Sequence, residues 1–356
     1  MYYWHMAGTS ALEHEICEQP AVLARRRQPT AAAVEACSQL IRRPSVSHLV
    51  VAARGSSANA ARYARYLLGD ALGMAVYPAA PALYQESGGP SLTGAAVLGI
   101  SQSGQSPDIV GVLAEARRQG RPTLAITNDP DSPLAAVADV VVPLLAGVER
   151  SVAATKTYTA TLQTVVQICA QLAGDSFRRG LDSLPDLTAT CVQDALASIP
   201  EIVSRSAQPT SSDPFLTVIG RGTGAATASE TALKIREVAE LRTESYSVPD
   251  LLHGPISANG PGSSSWIVAS PSYPSSYWDD LAARLLAQGV EVSAVVADRG
   301  APVDVEVLHT LPKDLPPWLF DFLAVVVGQV AALALGEAIG LDVDNPRGLS
   351  KVTRTA

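Results

Sequence analysis

At 356 residues, 47% hydrophobic and 17% charged, the chain has the composition of a compact globular protein, and it is longer than a single core usually organises, so two domains are expected. A formal net charge of −8 argues against a broad nucleic-acid or anionic-membrane surface and leaves room for a local pocket that takes a small anion. Cys17, Cys37, Cys169 and Cys191 show no C-x-x-C spacing and lie in segments of helical pattern, which speaks against disulfides or a zinc site and for reduced thiols in a cytosol.

Met1-Tyr2-Tyr3-Trp4-His5 lacks the basic region and apolar run of a signal peptide, so the expected location is cytoplasmic. Residues 1–45 read as a helical N-terminal segment. Strands are then expected at His48–Ala53, Ala75–Tyr77, Ala95–Ile100, Thr123–Thr127 and Val140–Leu144, with helices at Ala58–Leu72, Asp108–Gln119 and Thr155–Leu172. Short β-rich runs alternating with helical patterns imply a parallel sheet covered on both faces, here an α/β domain over 46–175. A helical connector and linker fill 176–213, ending in the Pro/Ser-rich stretch Gln208–Pro214.

The rhythm then repeats over 214–341. Strands are expected at Phe215–Gly220, Glu244–Val248, Trp266–Ala269, Val290–Ala297 and Val305–Thr310, and helices at Ala225–Leu241, Trp278–Gln288 and Trp318–Ile339. The chain is therefore expected to duplicate one α/β domain, each copy a parallel sheet of about five strands flanked by helices, and to end in a tail over 342–356. The apolar run within Leu319–Gly340 is long enough to raise a membrane span, but Asp321, Gln329 and Glu337 interrupt it, and a buried core or interface helix is the reading.

The loop Ser101-Gln102-Ser103-Gly104-Gln105-Ser106 follows an apolar strand and opens a helix. Unpartnered N–H groups and the helix dipole at such a point favour a phosphate, and Gly104 lets the main chain come close; an ordinary Ser-rich N-cap is the alternative. Ligands in open parallel sheets bind at the carboxyl ends of strands, so Ser56 and Ser57, after the first strand, should converge with this loop. The counterpart Arg221-Gly222-Thr223-Gly224 in the second half lacks a full G-x-G-x-x-G, which weakens a dinucleotide reading.

Lys234 and Glu237 share a helix face at i,i+3. They are either a surface ion pair or a carboxylate that moves a proton between sugar carbons beside an ammonium that steadies the developing oxyanion. His253 stands in the loop Pro249–Pro255, where an imidazole suits ring opening, although a packing role is equally open. Lys351 lies in a tail and reads either as a solvated end charge or as an amine directed into a site.

Together these pieces resemble the sugar isomerase (SIS) domain proteins, most closely the tandem-SIS isomerase half of glutamine:fructose-6-phosphate amidotransferase and the stand-alone aminosugar-phosphate deaminases. The resemblance rests on Glu15-Ile16-Cys17-Glu18-Gln19-Pro20, Gly55-Ser56-Ser57, Ser101–Gly104, Glu149-Arg150-Ser151-Val152-Ala153-Ala154-Thr155-Lys156, Leu233–Glu237, His253-Gly254-Pro255 and the tail from Asp344 to Thr353. It implies two tandem SIS domains and no metal or organic cofactor. It places the sugar 6-phosphate on Ser56, Ser57, Ser101, Gln102, Ser103 and Ser106, with Ala153 and Thr155 near the sugar. Glu237 would shuttle the C1/C2 proton, Lys234 would assist at the sugar oxygen, and Lys351 would form an imine or close over the substrate. His253 would open the ring from a second subunit, which implies a homodimer.

Departures narrow the activity. There is no Cys after Met1 and no glutaminase domain, Ser106-Pro107-Asp108 looks like the deaminases, and Ala154 replaces a serine of the amidotransferase pattern. The expectation is a glucosamine-6-phosphate deaminase/isomerase. A dehydratase that eliminates the C3 oxygen of N-acetylglucosamine 6-phosphate is the alternative, and a non-catalytic sugar-phosphate sensor is the third.

Overall fold

The structure is a computed structural model that describes residues 9–86, 88–206, 215–297 and 305–351. The expected linker 208–214 and the end of the tail, 352–356, lie outside these residues.

Two helices, α1 (Ala11–Arg26) and α2 (Ala31–Ile41), precede the first sheet. That half runs β1 (His48–Ala53), α3 (Gly55–Leu72), β2 (Val76–Pro78), α4 (Ala82–Glu86), β3 (Ala95–Ile100), α5 (Pro107–Arg118), β4 (Thr123–Thr127), α6 (Pro133–Ala136), β5 (Val140–Pro143) and α7 (Lys156–Ala173). After α8 (Asp175–Arg178) and α9 (Leu184–Ser206), the second half runs β6 (Phe215–Gly220), α10 (Thr223–Val238), β7 (Arg242–Ser247) and α11 (Val248–Leu252). It continues through a 3₁₀ turn (Pro255–Ala258), β8 (Ser263–Ala269), α12 (Ser275–Leu286), β9 (Glu291–Ala297), β10 (Glu306–Leu311) and α13 (Pro317–Ala338).

The sheets are five-stranded and parallel, in the orders β2-β1-β3-β4-β5 and β10-β9-β8-β6-β7. Numbered within its own half, each sheet reads 2-1-3-4-5, so both reverse direction beside their first strand. Crevices open at such reversal points, here between β1 and β3 and between β6 and β8. Every residue of β3 and of β4 is buried, as expected for central parallel strands, and this is why their bounds were readable from apolar runs.

Boundaries shift where the apolar signal fails. β8 begins at Ser263, ahead of the expected Trp266, because Ser263, Ser264 and Ser265 pair with Phe215, Leu216 and Thr217 although their side chains are polar. α10 ends at Val238 rather than Leu241, since Glu240 adopts φ 50° and turns the chain into β7. Pro249–Leu252, expected as loop, is mostly the short helix α11, capped by the Ser247 hydroxyl, and His253 is its C-cap.

One core cluster runs through both halves, drawing on α1, α3, α7, α9, α10 and α13. α13 is long and apolar enough to cross a membrane, yet it is buried within the fold against α9 and α10. A Cβ on Gly328 would stand 2.2 Å from Thr231 Oγ1, so glycine is what lets α13 approach α10 this closely. Buried polar contacts fix the register: Gln19 Nε2 donates to Gln329 Oε1 at 2.9 Å, and the fully buried Arg26 donates to Leu144 O at 2.7 Å and Thr164 Oγ1 at 2.6 Å.

Candidate active site

β1 and β3 stay in register to Ala53 opposite Ile100, so the segments Arg54–Ser57 and Ser101–Ser106 leave the same sheet edge side by side. Arg54 Nε donates to the buried Asp108 Oδ2 at 2.7 Å and staples the two. Within the second loop the Gly104 N–H donates to Ser101 Oγ at 3.1 Å and the Gln105 N–H to Ser103 Oγ at 3.3 Å. Gly104 has φ 63°, and a Cβ there would meet Ser132 Oγ at 2.1 Å, so the turn requires glycine. Ser106 is the extended N-cap of α5 and its side chain makes no capping hydrogen bond; Pro107 at N1 has no N–H and the Ile109 N–H donates to Asp108 Oδ1 at 2.9 Å, so the Ser106 hydroxyl is the group left for a ligand. Ser56, Ser57, Gln102, Ser103 and Ser106 are half-buried, as residues lining a crevice should be. Hydroxyls and amides at a helix start suit a phosphate dianion, and the one carboxylate in the first turn, Asp108, is paired with Arg54.

The second half meets this cradle through α10. Glu230, Lys234 and Glu237 fall at i, i+4 and i+7 on one helix face. Asn59 Nδ2 of α3 donates to Glu230 Oε2 at 2.8 Å, and Ser56, three positions earlier on the same helix, lies beside that carboxylate. Lys234 is 1% exposed, hydrogen-bonded to Glu237 and 3.6 Å from Glu230 Oε1. The surface ion pair that spacing allowed is therefore ruled out by burial. Desolvation works to lower the Lys234 pKa, but Glu230, Glu237 and Glu149 outweigh it and hold the group as an ammonium above its ordinary value. Burial pushes the Glu230 carboxyl up despite the pull of Lys234 and Asn59. Glu237 keeps partial access, its side chain 21% exposed.

A third cluster joins from the loop before α7. The Thr155 and Thr157 N–H groups each donate to Glu149 Oε1 at 3.0 Å, and Thr157 Oγ1 and Lys351 Nζ donate to Oε2 at 2.7 and 2.6 Å. Burial works to raise the Glu149 carboxyl, yet Lys351 and Thr157 together hold it below its ordinary range. The tail reaches this point along fixed anchors. Asp344 accepts from the Ala11 and Leu12 N–H groups at 2.7 and 2.9 Å, capping α1, and Arg347 donates to Glu240 at 2.6 Å. Ala153 and Thr155 are fully buried near Glu149, and Thr155 Oγ1 has no hydrogen-bond partner among the described residues.

The structure thus brings together Ser56, Lys234, Glu237, Lys351 and the neighbourhood of Thr155. It does not bring His253: that side chain is exposed at the end of α11, with its described hydrogen bonds made by the main chain. Sequence reasoning overlooked Glu230, whose signal was the i−4 spacing from Lys234, and gave Glu149 no role. It also overlooked Glu15, which accepts from the Arg150 and Ser151 N–H groups at 2.5 and 3.2 Å and holds the Glu149 loop in place.

Comparison with known proteins agrees with this architecture. A sequence profile of the SIS domain matches residues 44–170. A protein of Silicibacter pomeroyi DSS-3, provisionally assigned as a phosphosugar isomerase, is 30% identical with a TM-score of 0.82, over 94% of this chain and 100% of that one. The glutamine--fructose-6-phosphate aminotransferase [isomerizing] of Halobacterium salinarum is 30% identical over 314 residues, 86% of this chain. The match covers 52% of that protein, so the chain spans about half the length of the curated relatives it matches. The glucosamine-6-phosphate deaminase of Thermotoga maritima shares the fold, with TM-score 0.75 and 19% identity over 97% of this chain and all of that one.

Proposed function

Because this chain belongs to the SIS-domain family, we propose that it is an aminosugar-6-phosphate deaminase/isomerase, converting glucosamine 6-phosphate and water to fructose 6-phosphate and ammonia. One observation carries the reading. Asn59, one turn along α3 from Ser56 of the phosphate cradle, binds the Glu230 carboxylate that faces Lys234, so the phosphate end and the proton-transfer end share one crevice.

The 6-phosphate sits on Ser57, Ser101, Gln102, Ser103 and Ser106 against the α5 N-terminus. This directs C1 and C2 of the ring-opened sugar toward α10. Glu237 takes the C2 proton and returns it to C1, while the permanent Lys234 ammonium steadies the negative charge that develops on O1. As C1 gains that proton, O1 picks up a proton and the C2 amine gives one up, leaving a C1 hydroxyl and a C2 imine; water adds to the imine and displaces ammonia to leave the ketone. Thr155 Oγ1 meets a sugar hydroxyl, Ala153 packs beside it, and Lys351 on Glu149 closes the tail over the substrate. His253, exposed on its own chain, opens the ring in the crevice of a second copy.

The test is to supply glucosamine 6-phosphate and N-acetylglucosamine 6-phosphate separately, following ammonia, fructose 6-phosphate and any unsaturated sugar. Ammonia and fructose 6-phosphate from the first substrate are expected. An unsaturated product from the second, without ammonia from the first, assigns a dehydratase instead.

A further inference from the structure

The reversal point of the second sheet carries the same parts as the first. β6 is followed by Arg221-Gly222-Thr223-Gly224 as β1 is followed by Arg54-Gly55-Ser56-Ser57, and Gly222 and Gly55 adopt φ 59° and 54°. β8 is followed by Ser270-Pro271-Ser272 as β3 is followed by Ser101-Gln102-Ser103. β6 and β8 run in register through Ile219 opposite Ile267, so these two loops also leave one sheet edge together. The N-terminus of α10 points into that position as the N-terminus of α3 does in the first half.

What fills the second position is a side chain. Asp321 of α13 is 0% exposed, the Thr223 hydroxyl donates to its Oδ2, and Ser270, whose hydroxyl pairs with Ser272 Oγ at 3.3 Å, stands beside the same carboxylate. Among the described residues its Oδ1 has no hydrogen-bond partner, and it stands 3.2 Å from where a Cβ on Gly224 would be, so it lies against the first turn of α10. Thr227 Oγ1 donates to the Asp321 carbonyl at 2.9 Å and fixes the main chain there. The entrance is covered too. Tyr273 Oη lies 3.3 Å from where a Gly222 Cβ would be, and Arg221 is turned over the Tyr273 and Tyr277 rings at 5.1 and 5.4 Å.

We infer that Asp321 is the resident acid of a second phosphate cradle: its carboxyl group fills from within the chain the place that a ligand's phosphate group takes in the first half. The comparison with the first half rests on the phosphate reading proposed above, whereas the carboxylate's own contacts do not. The consequence is one sugar phosphate per chain, and a catalytic helix whose N-terminus is tied down by an internal acid. The ligand that this site takes once the acid is removed is a small oxyanion, for which the Thr223 and Ser270 hydroxyls are the donors beside the positive end of α10.

The experiment measures thermal unfolding in rising inorganic phosphate for the wild type, Asp321→Ala, Ser103→Ala/Ser106→Ala and the triple variant. Asp321→Ala is expected to melt lower than the wild type and to recover with phosphate in a saturable way, and the triple variant is expected to recover likewise. Ser103→Ala/Ser106→Ala is expected to show no phosphate-dependent shift. If Asp321→Ala folds too poorly to melt, its refolding yield with and without phosphate gives the same reading, and Asp321→Ser, smaller and polar, repeats it. A loss of stability that phosphate never restores overturns the inference and makes Asp321 an ordinary buried acid. A wild-type phosphate shift that survives Ser103→Ala/Ser106→Ala overturns the first cradle and leaves the Asp321 result to be judged by itself.

Discussion

The two sheet reversals are built on one plan and put to opposite uses. At the first, half-buried hydroxyls line the crevice at the start of α5; at the second, Asp321 and Tyr273 close the same position from inside. The duplicated fold therefore divides its labour. On the proposed reading the first half holds the anionic end of a ligand, while the second half contributes α10, which carries Lys234 and Glu237 on the same face as Glu230, the residue bound by Asn59 of α3. A helix that must present three charged groups at fixed spacing needs a rigid start, and an internal carboxylate at its N-terminus provides one.

The sharpest way to break this division is at the proton-transfer group. Glu237→Gln is expected to lower turnover by roughly 10²–10⁴-fold, with sugar-phosphate affinity nearly kept, because the amide cannot carry the proton and the cradle lies elsewhere. Ammonia release and calorimetric binding on the same preparation check both halves of that statement. If affinity falls with turnover, the two ends are not separable.

Next in size is the cradle itself. Gly104→Ala puts a methyl group 2.1 Å from Ser132 Oγ at φ 63°, and phosphate affinity is expected to drop by roughly tenfold or more, with about 1–3 kcal/mol of stability lost. Gly111→Ala on α5 is the control, since a Cβ there meets nothing within 4 Å, and it should be neutral or stabilise by up to about 1 kcal/mol. Urea titration of the pair measures the contrast.

The subunit assignment follows. Mixing Glu237→Gln with His253→Ala, each inactive alone, is expected to restore up to about a quarter of wild-type turnover if His253 serves the neighbouring copy. No recovery after co-refolding would return His253 to its own chain.

The smallest effects are in pH dependence, and the two halves should differ in sign. Glu149 is held below its ordinary 4.5, so the stabilisation it draws from Lys351 and Thr157 is present above that pH and is lost as pH falls through the folded value. Its gap to Glu149→Gln should narrow on acidification. Burial pushes Asp321 up from 3.8 to about 7 against Thr223 and Ser270, so the folded chain binds that proton more tightly than the unfolded one. Wild-type stability should fall relative to Asp321→Asn as pH rises across that window. Chemical denaturation at stepped pH reads both trends.

Much of the architecture was legible in the chain. β1, β3, β4 and β6 were bounded correctly because buried parallel strands are continuous apolar runs ended by Gly, Ser or Thr loops. The serine tract at β8 and the positive φ at Glu240 were not legible, because pairing with a neighbour and a left-handed turn leave no hydrophobic signature. In the site, Lys234 and Glu237 stood out by spacing, but the spacing fitted a surface pair as well as a catalytic one.

What the amino-acid order determined by itself was local: the periodicity that makes each strand and helix, the duplication, the loop whose hydroxyls and glycine suit an anion, and the family resemblance. Tertiary structure alone decided which of those groups meet. Burial turned Lys234 from a solvated charge into a fixed ammonium, the anchored tail carried Lys351 some two hundred positions back to Glu149, and α13 placed Asp321 at the mouth of the second cradle. The physical reason is that charge and hydrogen-bond energies depend on distance and desolvation, and neither is a property of neighbours along the chain.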